Sequence, residues 1–433
     1  MSITKSLIKN TGFNLGSYLF LLLASFFSVS ILLHNLGRNV FGVYIFLASF
    51  VPLAAVFDFG ISTAVVRKLS LPDIEKKDKI TTWKTSFSLF ISIALVLSLV
   101  VMGILIYLTR TLPLFQIVSR GTLNWVIAIL GITVFVNHLN SHFLSLPQAE
   151  QRFDVFNSKT LLVGSANTIL SALLSGIYPN LALIFLLQLI FHVITSLYMI
   201  SYSLKFFPGK NFLPQYHKEE GKDLIKFGLK NFVGTLASQI EAEFSNYALG
   251  IMVSAEAITA YSIPQNIIAK GAAVVSQIAQ VLFPLGTSLL TKERIHKLGK
   301  TVIAIQSLTF LSGILAVVLS FTIGKAFLLW WLKDAVVVEA AFPVLKILSF
   351  YFVLTALTPI PSVLLQSLNK PQIPSIFAVL TVVTEITSIL ILTPKFGLIG
   401  VAYSVLLASI VTVPAFLFVT WRIFNQETKR LMA

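Results

Sequence analysis

Apolar runs of about 20 residues, each closed by a short polar segment, recur along the whole chain, and a helix of about 20 residues crosses the hydrocarbon of a bilayer. Twelve runs qualify: 11–33, 40–65, 84–108, 123–146, 159–177, 181–204, 227–252, 259–285, 301–324, 341–366, 374–393 and 398–421. Lipid offers the backbone no hydrogen-bond partner, so runs of this length are predicted as helices. The expected fold class is all-α, a polytopic membrane protein with twelve transmembrane helices. The first run follows Lys5 and Lys9 as the core of a signal peptide would. Its length and the lack of a small-residue cleavage site before His34-Asn35 predict a retained span instead.

A repeat organises these runs. Leu7-Ile8-Lys9, Asn14, Ser28 and Tyr44 recur at Leu224-Ile225-Lys226, Asn231, Ser245 and Tyr261, a constant offset of 217 in a chain of 433 residues. Duplication of a helical bundle is a transporter architecture. It predicts a six-helix lobe over 1–204, a cytoplasmic linker over 205–223 and a second six-helix lobe over 224–433. Pro208, Gly209 and Pro214 keep helices from running through the linker.

Composition agrees with a membrane protein: 56% of residues are hydrophobic and 11% charged, against about 25% charged in a soluble domain. The net charge of +15 would suggest nucleic acid in a soluble protein. Here the basic residues crowd the short connections, so topology accounts for them and no nucleic-acid partner is expected. With the N-terminus inside, 24 of the 32 lysines and arginines fall on the inner side and 6 on the outer. The positive-inside rule then places both termini in the cytoplasm. All five tryptophans, Trp83, Trp125, Trp330, Trp331 and Trp421, fall near a predicted interface, as an aromatic belt would place them. The absence of cysteine excludes disulfides, thiolate metal sites and cysteine nucleophiles.

Charge inside a span costs about 2.5 to 3.5 kcal/mol at mid-bilayer and should face protein or water. Asp58, Glu241, Glu243, Lys270, Lys346 and Glu385 are such residues. Thr235, Ser238, Glu241 and Ser245 share one face of span 7, with Gln239, Glu243 and Asn246 beside it. Asn266, Lys270, Gln277 and Gln280 share a face of span 8, and Asn14, Ser17, Ser25 and Ser28 form a milder stripe on span 1. Candidate substrate-binding residues are therefore Lys270, Glu241, Glu243, Asn266, Gln277 and Asn14. Candidate ion-coupling residues are Glu241, Glu243, Glu385 and Asp58, with H+ or Na+ as the ion and no other cofactor. The competing readings are an ion pair from Lys270 to Glu241 or Glu243 that only knits helices, a cap role for Asp58, and a Lys346 that snorkels to the outer interface.

His138 and His142 have a spacing that can bind zinc on a helix, but no glutamate follows in the zincin order and no third ligand is near. Interhelical hydrogen bonds are expected there, and no metal. Phe327 to Leu332 reads either as a short interfacial helix or as the frayed end of span 9. Pro264 and Thr358-Pro359-Ile360-Pro361 mark candidate hinges.

Several segments resemble the polysaccharide repeat-unit flippases (the Wzx type) of the multidrug/oligosaccharidyl-lipid/polysaccharide exporter superfamily. They are Leu36-Gly37 with Phe41-Gly42-Val43-Tyr44, the stretch from Asp58-Phe59-Gly60 to Val66-Arg67, Leu224-Ile225-Lys226-Phe227-Gly228, Ala260-Tyr261, Leu368-Asn369-Lys370, and Lys395-Phe396-Gly397-Leu398-Ile399-Gly400-Val401-Ala402. The resemblance implies two six-helix lobes related by a pseudo-twofold, a central cavity and alternating access. It also implies a lipid-linked oligosaccharide cargo, on polyprenyl diphosphate, moved from the inner to the outer leaflet of the bacterial plasma membrane, with membrane lipids and polysaccharide polymerase or assembly proteins as partners. Spans 1 to 6 carry no lysine or arginine in mid-membrane, unlike the related peptidoglycan-precursor flippases, so Lys270 is the mid-span cation left for a diphosphate.

Two other functions compete. A cation-coupled multidrug exporter of the same superfamily would use Glu241 and Glu243 for organic cations. A membrane polymerase or ligase would need an outer loop bearing acid, base or cation residues. All outer loops here are short, so no catalytic residue is assigned and an enzyme is not expected.

Overall fold

The computed structural model describes the backbone of residues 3–280, 295–368 and 370–432, and the side chains of these except 3–19, 230–231, 278, 280, 295–301 and 428–432. No strand occurs among the described residues. The chain divides into two compact units, Met1–Leu236 and Ala237–Ala433. The first holds α1 (Ile3–Ala48), α2 (Phe50–Ala55), α3 (Ile61–Leu69), α4 (Lys76–Thr111), α5 (Arg120–Ala149), α6 (Phe153–Ser165), α7 (Ser171–Ile177), α8 (Leu181–Phe206) and the start of α9 (Lys218–Met252). The second holds the rest of α9, then α10 (Ala255–Gln280), α11 (Ile295–Thr322), α12 (Gly324–Leu332), α13 (Ala335–Thr355), α14 (Pro359–Ser367) and α15 (Gln372–Met432).

Every run predicted to span lies mainly in helix over its described residues, with non-helical breaks at 49 and 59–60 in the second run, at 323 in the ninth and at 356–358 in the tenth. Among those residues, eight helical stretches are long and apolar enough to cross a membrane. Two of them, Phe20–Asp58 with 39 residues and Gln372–Glu427 with 56, are long enough for two crossings. They bend at Gly37 (φ 74, ψ 157) and Gly397 (φ 54, ψ −130). Helices α9 and α10 are not among the eight, because the polar faces read from the sequence lower their apolarity.

The breaks repeat with the sequence. Counting 217 residues on from Gly37 reaches Ser254, in the gap between α9 and α10, and 217 on from Asn180, between α7 and α8, reaches Gly397. Proline acts selectively: Pro264 sits inside an unbroken α10, whereas Pro359 opens α14 after a break at Ala356–Thr358. The apolar stretch 327–332 lies in a helix of its own, α12, separated from α11 at Ile323.

In the first unit α4 packs on α5 and α5 on α8. Lipid tails are as apolar as leucine, so helix association rests on close packing and polar contacts. Ser98 Oγ donates to Gly131 O (2.7 Å), Asn140 Nδ2 to His192 O (3.2 Å), Ser196 Oγ to Asn140 Oδ1 (2.6 Å), and Gln188 Nε2 to Tyr44 OH and Ser171 Oγ (3.0 Å each). The linker is a docked strap. Phe207 stacks on Trp83 (4.6 Å), Phe212 meets Phe87 and Phe143, and Gln215 N donates to Lys84 O (3.2 Å).

The five tryptophans differ in what covers them. Trp125, Trp330 and Trp421 are exposed, but Trp83 is 0% exposed and Trp331 is buried. Hydropathy sets the depth of a tryptophan, while the rotation of its helix decides whether lipid or protein receives it.

Candidate functional site

Four helices of the second unit bring the predicted acidic residues together: α9 supplies Glu241, Glu243 and Ser245, α10 Tyr261, α13 Tyr351 and α15 Glu385. Tyr351 OH donates to Glu241 Oε1 (3.3 Å). Tyr261 OH donates to Ser245 Oγ (3.1 Å), which donates to Glu385 Oε1 (3.3 Å). Glu385 is 1% exposed, and its Oε2 is buried with no hydrogen-bond partner. The two carboxyls lie close enough to interact electrostatically, as does Tyr351 with Glu385. Among the described residues no lysine or arginine forms an ion pair with either. Two carboxyls held this way are costly as bare anions and call for a proton or a cation.

Glu243 lies on the adjoining face, with Asn246 Nδ2 (3.4 Å) and Gln239 Nε2 (3.5 Å) as long contacts. On α10, Lys270 Nζ reaches Asn266 Oδ1 (3.5 Å), and Asn266 Nδ2 donates to Ser262 O (2.8 Å). Among the described residues no ion pair joins Lys270 to Glu241 or Glu243. Asn266 and Gln277 are exposed and Lys270 is half-buried.

The remaining candidates lie elsewhere. Asp58 is in the first unit and acts locally: it accepts from Gly60 N (2.8 Å), Ser62 N (3.4 Å) and the Ser62 hydroxyl at the start of α3. The side chain of Asn14 lies outside the described residues. Of its stripe, Ser25 and Ser28 donate to carbonyls of their own helix. His142 Nδ1 meets Ser86 Oγ across α4 and α5 (3.3 Å), an interhelical contact, whereas His138 Nδ1 turns to Val134 O (3.0 Å). Among the described residues no group of histidine and acidic side chains could hold a metal. Lys346 lies over the rings of Phe342 (4.7 Å) and Phe321 (5.6 Å). Tyr351 was not singled out in the sequence; the available signal was a hydroxyl in mid-span, away from the interfaces where tyrosine gathers.

Residues 7–290 match the family described as polysaccharide biosynthesis protein. A candidate O-antigen transporter of Shigella flexneri is 23% identical over 411 residues, 92% of this chain and 94% of that one. Among solved structures, the lipid II flippase MurJ in an inward closed conformation superposes with TM-score 0.75 at 14% identity, over 98% of this chain and 91% of that one. An inward-facing multidrug resistance MATE family transporter of the MOP superfamily gives 0.72 at 16% identity, over 97% and 96%. The fold is shared with both.

Proposed function

The chain belongs to the polysaccharide biosynthesis protein family, and from that premise we propose that it flips polyprenyl-diphosphate-linked oligosaccharide from the inner to the outer leaflet of the bacterial plasma membrane by alternating access. The observation that carries this reading is the row of mid-span polar side chains on α9 and α10, two long helices left out of the apolar set, within a bundle otherwise suited to lipid. A sugar loses its water on entering hydrocarbon and needs replacement hydrogen bonds. Its lipid tail does not. Exposed Asn266 and Gln277 are apt for hydroxyls, and Lys270 is the mid-span cation for phosphate. The Glu241–Tyr351 and Glu385–Ser245–Tyr261 contacts support an H+ or Na+ coupling role for these carboxyls.

In this reading twelve spans leave both termini in the cytoplasm, and the protein is a transporter that hands its cargo to polymerizing partners. The curated relative and the flippase neighbour support the cargo class, and leave the sugar open. One observation favours a second reading: the buried Glu385 and half-buried Glu241, with no basic ion-pair partner among the described residues, also suit an organic cation, and the MATE neighbour has the same fold. Purified protein titrated with lipid-linked oligosaccharide and with cationic dyes separates the two. Saturable binding of the sugar lipid, weakened by Lys270→Ala, is expected; binding of dyes alone selects the exporter.

A further inference from the structure

Two segments 168 residues apart, Asp58-Phe59-Gly60 and Lys226-Phe227-Gly228, meet in the first unit. Phe59 (φ 54) and Gly60 (φ 70) are both left-handed, and this turn launches α3 with Arg67 and Lys68 in its last turn. Gly228 of α9 sits directly on the turn. A Cβ on Gly228 would lie 2.3 Å from Phe59 O, and one on Gly60 would lie 2.4 Å from Gly228 O. Phe232 packs on Phe59 (5.0 Å) and Phe57 (6.1 Å) and extends the contact. Beside it, between α3 and the first turns of α9, is a cleft of about 340 Å³ lined by Arg67, Lys68, Leu71, Asp223, Lys226 and Phe227.

The chemistry of the cleft is cationic and half apolar. Lys68 pairs with Glu220, which also accepts from Thr82 Oγ1 (2.7 Å). The Arg67 guanidinium lies 4.5 Å over the Phe227 ring, and among the described residues neither Arg67 nor Lys226 forms an ion pair. A guanidinium stacked by its face keeps its N–H edge for a bidentate acceptor. Three cations thus stand against two carboxylates, Asp223 and Glu220. Leu71 is exposed at the rim. The charge distribution puts this end of the spans on the cytoplasmic side, where anionic lipid headgroups lie.

We propose that the cleft binds the phosphate of an anionic phospholipid of the cytoplasmic leaflet. Arg67 and Lys226 hold the phosphate oxygens, and Leu71 and Phe227 meet the apolar part that follows. The volume is at the small end for ligand sites. It suits a phosphate and glycerol better than a sugar-bearing diphosphate. A phosphate there joins α3 to α9 beside the glycine contact and fastens the end of the linker. The site rests on the topology assigned from charge and is independent of the cargo.

Native mass spectrometry of the purified protein in neutral detergent tests it, with phosphatidylglycerol and phosphatidylcholine of matched chains as probes. One phosphatidylglycerol is expected to be retained in preference to phosphatidylcholine. The double variant Arg67→Gln, Lys226→Gln should weaken it about thirtyfold, at about 1 kcal/mol for each basic residue. Lys222→Gln, on an exposed lysine of the same helix paired with Glu219, should leave it unchanged. Asp223→Asn removes a carboxylate from the cleft and should tighten binding, so the proposal does not depend on a variant that could misfold. Equal retention of both lipids, indifference to the double variant, or no tightening by Asp223→Asn would overturn it. So would equal competition by glycerol phosphate, which would make the chains irrelevant, or strong displacement by polyprenyl diphosphate, which would give the cleft to the cargo.

Discussion

Replacing Gly228 by alanine sets two effects against each other. In an exposed helix the change gains about 1 kcal/mol of helix propensity. Here the new Cβ would stand 2.3 Å from Phe59 O, 2.7 Å from Gly60 C and 2.9 Å from Gly60 O, all backbone atoms, whereas ordinary contact begins at 3.4 Å. No side-chain rotation relieves this, so α9 must withdraw from the 58–60 turn by about 1 Å, losing the Phe232 packing on Phe59. Overpacking of this kind costs about 1 to 3 kcal/mol and more where backbone is forced. The net effect is expected to be a loss of about 1 to 2 kcal/mol, seen as a lower apparent melting temperature of the detergent-solubilised protein by tryptophan fluorescence. Gly103→Ala, on α4 with nothing within 4 Å of its Cβ, is the control and should melt no lower than the parent. A Gly228→Ala protein that melts at or above the parent would refute the contact.

Trp83→Ala should cost about 3 to 5 kcal/mol, because Trp83 is fully buried under Phe207 and beside His142 (4.1 Å); faster proteolysis within 207–217 of the folded protein would register the freed linker. Single cysteines, introduced directly into a chain with none, should react with an impermeant reagent in intact cells at Asn180 and Lys395 but not at Ser70; the opposite pattern inverts the topology. Glu385→Gln keeps shape and removes the buried acid, so transport should fall at least about tenfold while the melting temperature moves little; unimpaired, still ion-dependent transport would exclude Glu385 from coupling.

The helices were legible because a bilayer leaves the backbone no alternative, and the repeat was legible because its offset also governs where helices break, at Gly37 and Ser254 and again at Asn180 and Gly397. The 3.6-residue period exposed the polar faces of α9 and α10 for the same local reason. What stayed hidden was the pairing between helices. Tyr351 meets Glu241 across 110 residues, and Ser245 meets Glu385 across 140, and only the mutual rotation of packed helices decides such partners. The sequence left Asp58 open between a cap and an ion site; its hydrogen bonds to Gly60 and Ser62 are local to the turn that precedes α3. The linker's docking was hidden for the same reason: Phe207 and Phe212 anchor it on α4 and α5, contacts that its own composition does not encode.

The central claim, movement of a lipid-linked oligosaccharide, is tested most directly in a strain lacking the protein, by measuring sugar-linked polyprenyl diphosphate on the two faces of the plasma membrane together with surface polysaccharide. The account predicts that the sugar lipid accumulates on the inner face, that the surface polysaccharide disappears, and that the intact chain restores both. Unchanged surface polysaccharide with increased sensitivity to cationic dyes would contradict it.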